Sequence, residues 1–597
     1  MHKLSYNGLA ILIGLSAGYV GTALAQQQTR PELFAPVHTS IAAKGSTGRL
    51  AVKFNTAELF SLPIGGEAQI TLPRLGTLAI VHDRTKLHAS GDVTWVGYLK
   101  GYGTDYRVII TSGDHGSAGR IVSPDGEFSL LPGKGNDWLL DRKQSGFQGL
   151  AQSADDAIAL PQTVPATVPN MGTPSAAADI PADNSSIDLM IIYTAGMVQR
   201  YGAGLQTRLA NLVQIANQAY IDSGIGITLN LVYSVEIDYS DTAPISEALN
   251  DLTNGVGLFS NVPSLRGLYG ADLVQLVRPF YYSQSYCGLA WTNIANPIAD
   301  YGYSVSEDGS DVEGAPYYCH DVALAHELGH NMGAAHDRAH ANVPGAFPYS
   351  YGYGIDGVFV TIMATGYING TPVGRFSNPN LNCGPNSDPC GIADNLPNSA
   401  DNVQTLNNTR AAVAGFASPL NVTLTASQYT INYQGSSVLN WSSNNASSCR
   451  ATTSDGWAGT VPLSGSVAVT LSNTTSYTLT CVGSGGANIS KSVTVAVNPV
   501  AVASLACLFN WAEQNYSSLF APPNQPMQVS TIYTFRHYPT TNDYLGVSSA
   551  DNHVYYLGPD GILQDEGALS YWLPKRVANK YYFSSTNVMH RTISILC

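Results

Sequence analysis

Three histidines near the middle of the chain have the spacing of metal ligands: His326, His330 and His336. His326 and His330 are four residues apart, so on a helix their imidazoles share one face and can reach the same point. Gly333, which has no Cβ, can adopt a positive φ that ends this helix and turns the chain, so that His336 supplies a third nitrogen. Three protein ligands leave one position of a tetrahedral Zn²⁺ ion open to water, as a catalytic site requires. The spacing therefore predicts a catalytic zinc site.

Glu327 follows the first predicted ligand directly and is not itself a ligand. Its carboxylate is expected on the flank of the same helical face, where it can take a proton from zinc-bound water, whose pKa the metal lowers to roughly 7. Zinc would polarise the scissile carbonyl, and Glu327 would pass the proton to the leaving amine. The predicted chemistry is hydrolysis of a peptide bond without a covalent intermediate.

Residues 326–337 resemble the zinc-binding motif of the metzincin endopeptidases, and Asp337 after the third histidine is similar to the adamalysin/reprolysin branch. Met363, within Thr361-Ile362-Met363-Ala364, looks like the Met-turn that lies below the metal in this family. The resemblance covers about residues 187–417 and implies a zinc metalloendopeptidase. It also implies that Asp337 lies beside the ligands without binding the metal.

Two further stretches carry the same resemblance. Gly288, Leu289 and Ala290, followed by Trp291, look like the edge strand above the substrate cleft, and residues 375–379 (RFSNP) follow the Met-turn as expected. Tyr367 is a candidate for the wall of a substrate pocket.

The elements around the motif are those of an α/β (α+β) domain that can hold such a site. Buried strands, an amphipathic helix and the zinc helix are predicted to form a sheet with helices packed on it, above a smaller part that begins near His336. The strands are predicted at 187–194, 225–237, 271–277 and from 288, and the helices at 205–223 and 402–416.

The 597 residues are too many for one core and indicate a multidomain protein. With a net charge of −14 and no basic face, nucleic acid and anionic membranes are poor partners, whereas proteins and peptides are the expected substrates. Residues 1–25 have the basic start, apolar run and small-residue site of a secretory signal peptide, so we expect an extracellular protein; an uncleaved anchor helix is the alternative. No later apolar run reaches the length of a membrane span.

Residues 26–149 are strand-rich and resemble the propeptides of bacterial reprolysin-like proteases, although an accessory β domain remains an alternative. Residues 150–186 are predicted to be an exposed linker that contains the maturation site. No cysteine precedes Cys287, which excludes a thiol ligand from this part of the chain. Inhibition would need a carboxylate, an imidazole or a main-chain oxygen at the metal, or a strand added beside 288–291. The candidates are His82, Asp83 and His88.

The region after residue 417 reads as two appended modules. Short alternating strands in 418–500 predict an Ig-like β-sandwich, and 501–597 resemble a small α+β module that begins with a helix at 508–516. Carbohydrate or surface binding and a passive spacer role both remain open for these modules.

Eight cysteines fall in even numbers within the proposed domains, which fits an oxidising compartment. The preferred pairings in the protease are Cys287 with Cys319 and Cys383 with Cys390. Cys449 and Cys481 would link the sandwich, and Cys507 and Cys597 belong to the last module.

Two other functions compete with this prediction. A secreted adhesin or matrix-binding protein would place the main role in the C-terminal modules, but such a protein has no need of Glu327 beside intact ligands. A zinc protease with two histidines and a distant glutamate ligand is disfavoured by Gly333, His336 and Met363. Zn²⁺ is the predicted cofactor, and Ca²⁺ is neither required nor excluded by the sequence.

Overall fold

The computed structural model describes residues 30–36, 48–133, 136–150, 156–161, 184–366, 368–453 and 457–498, together with the backbone of strands between 526 and 594. The predicted signal peptide, Tyr367, Cys507, Cys597 and the predicted helix at 508–516 lie outside these residues. No helix in the described part of the chain is long and apolar enough to cross a membrane.

The N-terminal part is an antiparallel barrel of nine strands in the order β1-β2-β9-β8-β7-β6-β5-β4-β3. A bridge between Glu32 and Gln69 joins the two ends of this sheet and closes it. Alternate side chains such as Trp95, Val108 and Phe128 fill the interior. The strands are β1 Phe34–Pro36, β2 Arg49–Phe54, β3 Glu67–Leu72, β4 Gly76–Leu87, β5 Val93–Leu99, β6 Arg107–Gly113, β7 Gly116–Ser123, β8 Gly126–Leu131 and β9 Asp137–Asp141, with the short helix α1 Thr56–Phe60 between β2 and β3.

The central domain contains a mostly parallel sheet covered by helices on both faces. Successive residues of one central strand point to opposite faces: Ile191 packs in the core beneath α3, and Ile192 packs in the core beneath α4 and α5. The sheet runs β10-β17-β16-β14-β12-β13, and β15 pairs antiparallel with β16. The elements are β10 Gln148–Gly149, β11 Ala157–Ala159, β12 Ser185–Thr194, α2 Ala195–Tyr201, α3 Leu205–Ser223, β13 Ile227–Ile237, α4 Ile245–Asn254, α5 Val262–Tyr269, β14 Leu273–Pro279, β15 Gly288–Thr292, β16 Tyr303–Ser310, β17 Tyr317–Cys319 and α6 Ala323–Asn331.

Below the sheet, a smaller part is built from short strands and a closing helix. The disulfides Cys287–Cys319, beside the sheet, and Cys383–Cys390, in this lower part, form as the preferred pairings predict. The predicted helix at 402–416 is shorter, α7 Asn402–Val413. The strands are β18 Ala335–Asp337, β19 Tyr351–Gly352, β20 Gly354–Ile355, β21 Val358–Val360, β22 Gly370–Pro372, β23 Asn378–Cys383 and β24 Asp388–Cys390.

The prediction that 150–186 form an exposed linker is wrong for the first part of this stretch. Residues 156–161 run through the central domain, and β11 within them pairs in parallel with β15. Just before them, β10 pairs in parallel with β17. The prediction failed because the stretch has no hydrophobic periodicity of its own, and its structure depends on main-chain bonds to a distant strand.

Charged side chains join the barrel to the central domain. Arg107 of β6 donates to Asp222 at the end of α3, with Nε 2.8 Å from Oδ2. In the opposite sense, Arg375 of the central domain pairs with Asp105 of the barrel at 3.0 Å. Val96 and Ile109, from the outside of the barrel, pack in the core of the central domain. The contact therefore combines ion pairs with apolar packing.

The region after the central domain forms two sheets, β25-β27-β30 and β26-β32-β31-β28-β29, around a shared core that includes Trp441 and Tyr477. This is a β-sandwich, linked internally by Cys449–Cys481 as predicted; its Ig-like character remains a prediction. Ser264 of α5 donates to the carbonyl of Gly485 in this sandwich at 2.5 Å. The strands are β25 Asn421–Ala426, β26 Thr430–Asn432, β27 Gly435–Asn444, β28 Ala446–Thr452, β29 Gly459–Val461, β30 Ser464–Leu471, β31 Thr475–Gly483 and β32 Asn488–Asn498.

The last part of the chain contributes a five-stranded sheet, β33-β34-β35-β36-β37, and a hairpin, β38-β39. The predicted strand in this region around Val554 is present as β36. The strands are β33 Pro526–Gln528, β34 Tyr533–Tyr538, β35 Asp543–Ser548, β36 His553–Leu557, β37 Leu563–Ala568, β38 Lys580–Ser585 and β39 Val588–Ser594.

Candidate active site

The helix α6 and the turn that ends it bring the three predicted ligands together. His326 and His330 lie one turn apart on this helix, and both are buried. Gly333 has a φ of 94°, and the amide of Ala334 donates back to the carbonyl of Gly329 at 2.9 Å. This left-handed turn leads directly into β18, which carries His336. The role predicted for Gly333 in ending the helix matches its geometry.

The ligand nitrogens of the three imidazoles converge. Nε2 of His336 lies 3.1 Å from Nε2 of His326 and 3.0 Å from Nε2 of His330. On the far side of two rings, Nδ1 of His326 donates to the carbonyl of Ile362 and Nδ1 of His330 to that of Ala334, each at 2.9 Å. These bonds place the ring protons on Nδ1, so the Nε2 lone pairs face the shared centre.

The arrangement fits a zinc ion. Zinc–nitrogen bonds of 2.0–2.1 Å in a tetrahedron place neighbouring nitrogens ~3.3 Å apart, close to the observed separations. Burial lowers the pKa of His330 to about 4, which keeps its imidazole neutral and able to bind a metal at neutral pH.

Glu327 lies buried beside the first strand residue of the cleft. A Cβ built on Gly288 would come within 2.0 Å of Oε1 of Glu327, so only glycine at this position leaves room for the carboxylate. Leu289 and Ala290 continue β15, whose pairing with β16 fixes the strand over the helix. The glycine of the predicted edge strand is thus in contact with the predicted base.

Met363 lies directly below the helix that carries two of the histidines. It is fully buried in the turn Ile362–Ala364, and a Cβ at Gly329 would come within 2.7 Å of its sulfur. The same turn supplies the carbonyl that fixes His326. The turn therefore supports a ligand through its main chain and fills the space beneath it with the methionine.

Asp337 follows the third histidine directly and bonds to the next residues of the chain. Its carboxylate lies 2.8 Å from Nδ1 of His340 and accepts from the amide of Ala339 at 3.1 Å. It is the last residue of β18, and its position beside the ligands without binding the metal stays a prediction.

A fourth side chain, which the sequence reasoning did not select, contacts the three histidines. Asp156 is fully buried; its Oδ1 contacts Nε2 of His336 and lies 3.3 Å from Nε2 of His330, and its Oδ2 lies 3.6 Å from Nε2 of His326. Although burial opposes ionisation, His336 and His326 hold the pKa of the Asp156 carboxyl well below its ordinary value. Asp156, His326, His330 and His336 together form a potential metal-binding group.

The N-terminal residues that were candidates for blocking the metal have other partners. His82 stacks on Trp95 within the barrel, Asp83 pairs with Arg107, and His88 lies 2.7 Å from the hydroxyl of Thr94. The carboxylate that does contact the three histidines, Asp156, lies in the stretch taken as linker. Its only signal in the sequence was an acidic pair, Asp155-Asp156, upstream of a zinc motif. The pairing of the next three residues with β15 brings Asp156 to the histidines, and this pairing is not visible in the sequence.

Comparison with known proteins agrees with this geometry. Residues 184–396 match the family model described as Metallo-peptidase family M12B Reprolysin-like. These residues form a reprolysin-like zinc metalloendopeptidase domain of the bacterial type. Residues 29–144 match a BamI lipocalin-like domain, which agrees with the closed barrel.

Three bacterial relatives are each named Peptidyl-Asp metalloendopeptidase. The protein from Xanthomonas campestris pv. campestris is 29% identical over 68% of this chain and 97% of its own length. A protein from Stenotrophomonas maltophilia is 27% identical over 68% of this chain and 99% of its own. The Pseudomonas aeruginosa protein is 30% identical over 39% of this chain and 40% of its own. The first two matches span nearly the whole of those proteins, so this zinc metalloendopeptidase acts on proteins or peptides.

Proposed function

We propose that this chain is the precursor of a secreted zinc endopeptidase in which His326, His330 and His336 hold the metal and Glu327 is the general base. The convergence of three Nε2 atoms beside the buried Glu327 carries the proposal. The secretory signal predicted at 1–25 and the disulfide bonds of the central domain support an extracellular location.

When bound, zinc supplies a Lewis acid for the scissile carbonyl and lowers the pKa of a bound water. The side chains then have distinct tasks. The carbonyls of Ile362 and Ala334 hold the first two imidazoles in the tautomer that binds metal. Glu327 accepts the proton of the attacking water and returns it to the leaving amine. Strand β15 offers main-chain groups along which a peptide can align as an added strand.

The substrate bond is proposed to lie next to an aspartate. The relatives that match most of this chain carry the name Peptidyl-Asp metalloendopeptidase, and they are similar over the catalytic domain. We assign the barrel at 26–149 the role of a propeptide, since it covers the catalytic domain and is followed by a stretch suited to cutting. The adhesin alternative gains no support from any feature of the site.

The test is cleavage profiling of the processed protein with a peptide library, alongside Glu327→Gln. Wild-type protein is expected to cut beside aspartate, and the variant to lose activity while it keeps one zinc per chain and its fold. Activity of Glu327→Gln within tenfold of wild type would contradict the role of Glu327. Cleavage without preference for aspartate would leave the zinc chemistry intact and refute only the substrate.

A further inference from the structure

The side chain of Asp156 occupies the corner of the zinc site that the three histidines leave open. Its two oxygens face all three ligand nitrogens, at 3.3 Å and 3.6 Å from two of them and in direct contact with the third. A carboxylate oxygen is a normal zinc ligand. We propose that Asp156 is the fourth zinc ligand of the precursor and keeps it inactive, because it takes the place of the water that Glu327 needs.

Main-chain bonds on both sides hold this carboxylate in the site. The amide of Ala290 in β15 donates to the carbonyl of Asp156 at 3.0 Å, and the next three residues continue the pairing as β11. On the other side, the amide of Leu150 donates to the carbonyl of Tyr318 at 2.9 Å, next to the pairing of β10 with β17. Asp156 is thus tied at two points of the catalytic domain.

The same contacts block the substrate as well as the metal. Strand β11 uses the edge of β15 that a peptide would need, so a substrate cannot align while 156–159 are in place. Cutting the chain within 162–183 leaves β11 without its covalent link to β12. The barrel and Asp156 can then depart together, and the fourth position becomes free for water.

The experiment measures access to the metal directly. Full-length chains that carry Glu327→Gln, which prevents self-cleavage, are loaded with Co²⁺, and binding of a small hydroxamate is followed through the visible spectrum of the metal. We expect Asp156→Asn to bind hydroxamate at least tenfold more tightly than the parent, because an uncharged amide is a weaker zinc ligand than a carboxylate. Asp155→Asn is the matched control, with the same change one residue earlier.

Equal hydroxamate affinity in the parent and a folded Asp156→Asn chain would overturn the proposal. If Asp156→Asn does not fold, the parent is compared before cutting within 162–183 and after cutting and removal of the barrel, and an unchanged Co²⁺ spectrum would overturn the proposal. Failure of the parent to bind one Co²⁺ both before and after cutting would instead contradict the three-histidine site of the proposed function.

A second carboxylate of the barrel lies in a pocket of the catalytic domain and leads to an independent inference. Glu127 of β8 lies 2.8 Å from Nδ1 of His320 and accepts from the hydroxyl of Tyr318 at 3.1 Å. Arg120, from the barrel itself, donates to it at 2.8 Å. Although burial opposes ionisation, Arg120 and His320 hold the pKa of Glu127 below its ordinary value.

Two of these partners belong to the catalytic domain and remain when the barrel leaves. His320 lines a pocket together with His326, Glu327 and Thr365, so the vacated carboxylate position borders the catalytic centre. We infer that His320, assisted by Tyr318, binds the acidic side chain of the substrate where Glu127 lies in the precursor. This inference rests on the proposed function and assigns recognition of the substrate aspartate to His320.

The test uses processed enzyme and two peptides that differ only in Asp or Asn beside the scissile bond. His320→Gln is expected to lower kcat/KM for the Asp peptide by about tenfold or more and to leave the Asn peptide within a few-fold, because only the charged bond is lost. Tyr318→Phe should give a smaller change in the same direction. Tyr317→Phe, one residue earlier, is the control.

Retention of the Asp preference in His320→Gln, or an equal fall for both peptides, would overturn this inference. Wild-type enzyme that cuts both peptides equally would refute it together with the proposed substrate. Cleavage by the wild-type enzyme that persists after its zinc has been removed would contradict the catalytic site itself.

Discussion

Gly288→Ala tests whether the cleft strand positions the base. The added Cβ would lie 2.0 Å from Oε1, 2.3 Å from Cδ and 2.6 Å from Cγ of Glu327. Non-bonded carbon and oxygen atoms need ~3.4 Å, so the carboxylate must move by ~1 Å or more. Because Glu327 is a flexible side chain, it moves before the paired strand does. A displacement of this size at a catalytic group lowers the rate by ~100-fold, or ~2.7 kcal/mol of barrier.

The assay is kcat/KM on a short peptide, with zinc content and thermal unfolding measured on the same samples. We expect one zinc per chain, a thermal midpoint near that of wild type and the ~100-fold loss in kcat. Gly415→Ala is the matched control. Its added Cβ would lie 3.5 Å from the carbonyl oxygen of Ala412 and 3.7 Å from that of Ala411, which are ordinary contact distances. Activity of Gly288→Ala within threefold of wild type would refute the idea that this glycine makes room for the base.

Three other outcomes follow from the site and the domain contacts. His336→Ala should lose both zinc and activity, as should wild type treated with phenanthroline; one zinc per chain in the variant would mean that the third ligand is misassigned. A chain truncated after Ala417 and then cut within 162–183 should still cleave small peptides, because the sandwich has its own core and touches α5 through bonds such as Ser264 to Gly485; failure of that chain to fold would place the boundary elsewhere. Mercurials should not activate the precursor, whereas cutting within 162–183 should, and mercurial activation without chain cleavage would contradict an oxygen ligand from Asp156.

The convergence of the three histidines was predictable because their geometry is local. Helical periodicity places His326 and His330 together, and the requirement for a positive φ at Gly333 directs the chain to His336, all within eleven residues. The strands of the barrel were predictable from alternation, but its closure was not. The bridge from Glu32 to Gln69 joins segments that share no pattern in sequence.

Asp156 shows where this reasoning stops. Nothing in its own sequence neighbourhood distinguishes it from Asp155, because its position is set by the pairing of the next residue, Ala157, with Ala290 of β15, far along the chain. Glu127 is similar: as a residue of an alternating strand it looks like an ordinary outward-facing charge, and its partner His320 lies in another domain. Both residues matter through contacts between domains, which local periodicity does not encode.

The edge of β15 connects latency, substrate binding and catalysis in one physical argument. An unpaired strand edge exposes donors and acceptors that favour any extended chain placed beside it. In the described structure, β11 satisfies this edge and carries Asp156 to the metal centre. Departure of this strand would expose the edge, the fourth metal position and the pocket beside His320 together. A cut in 162–183, followed by departure of the barrel with β11, would therefore create the whole substrate-binding surface around α6 and the three histidines.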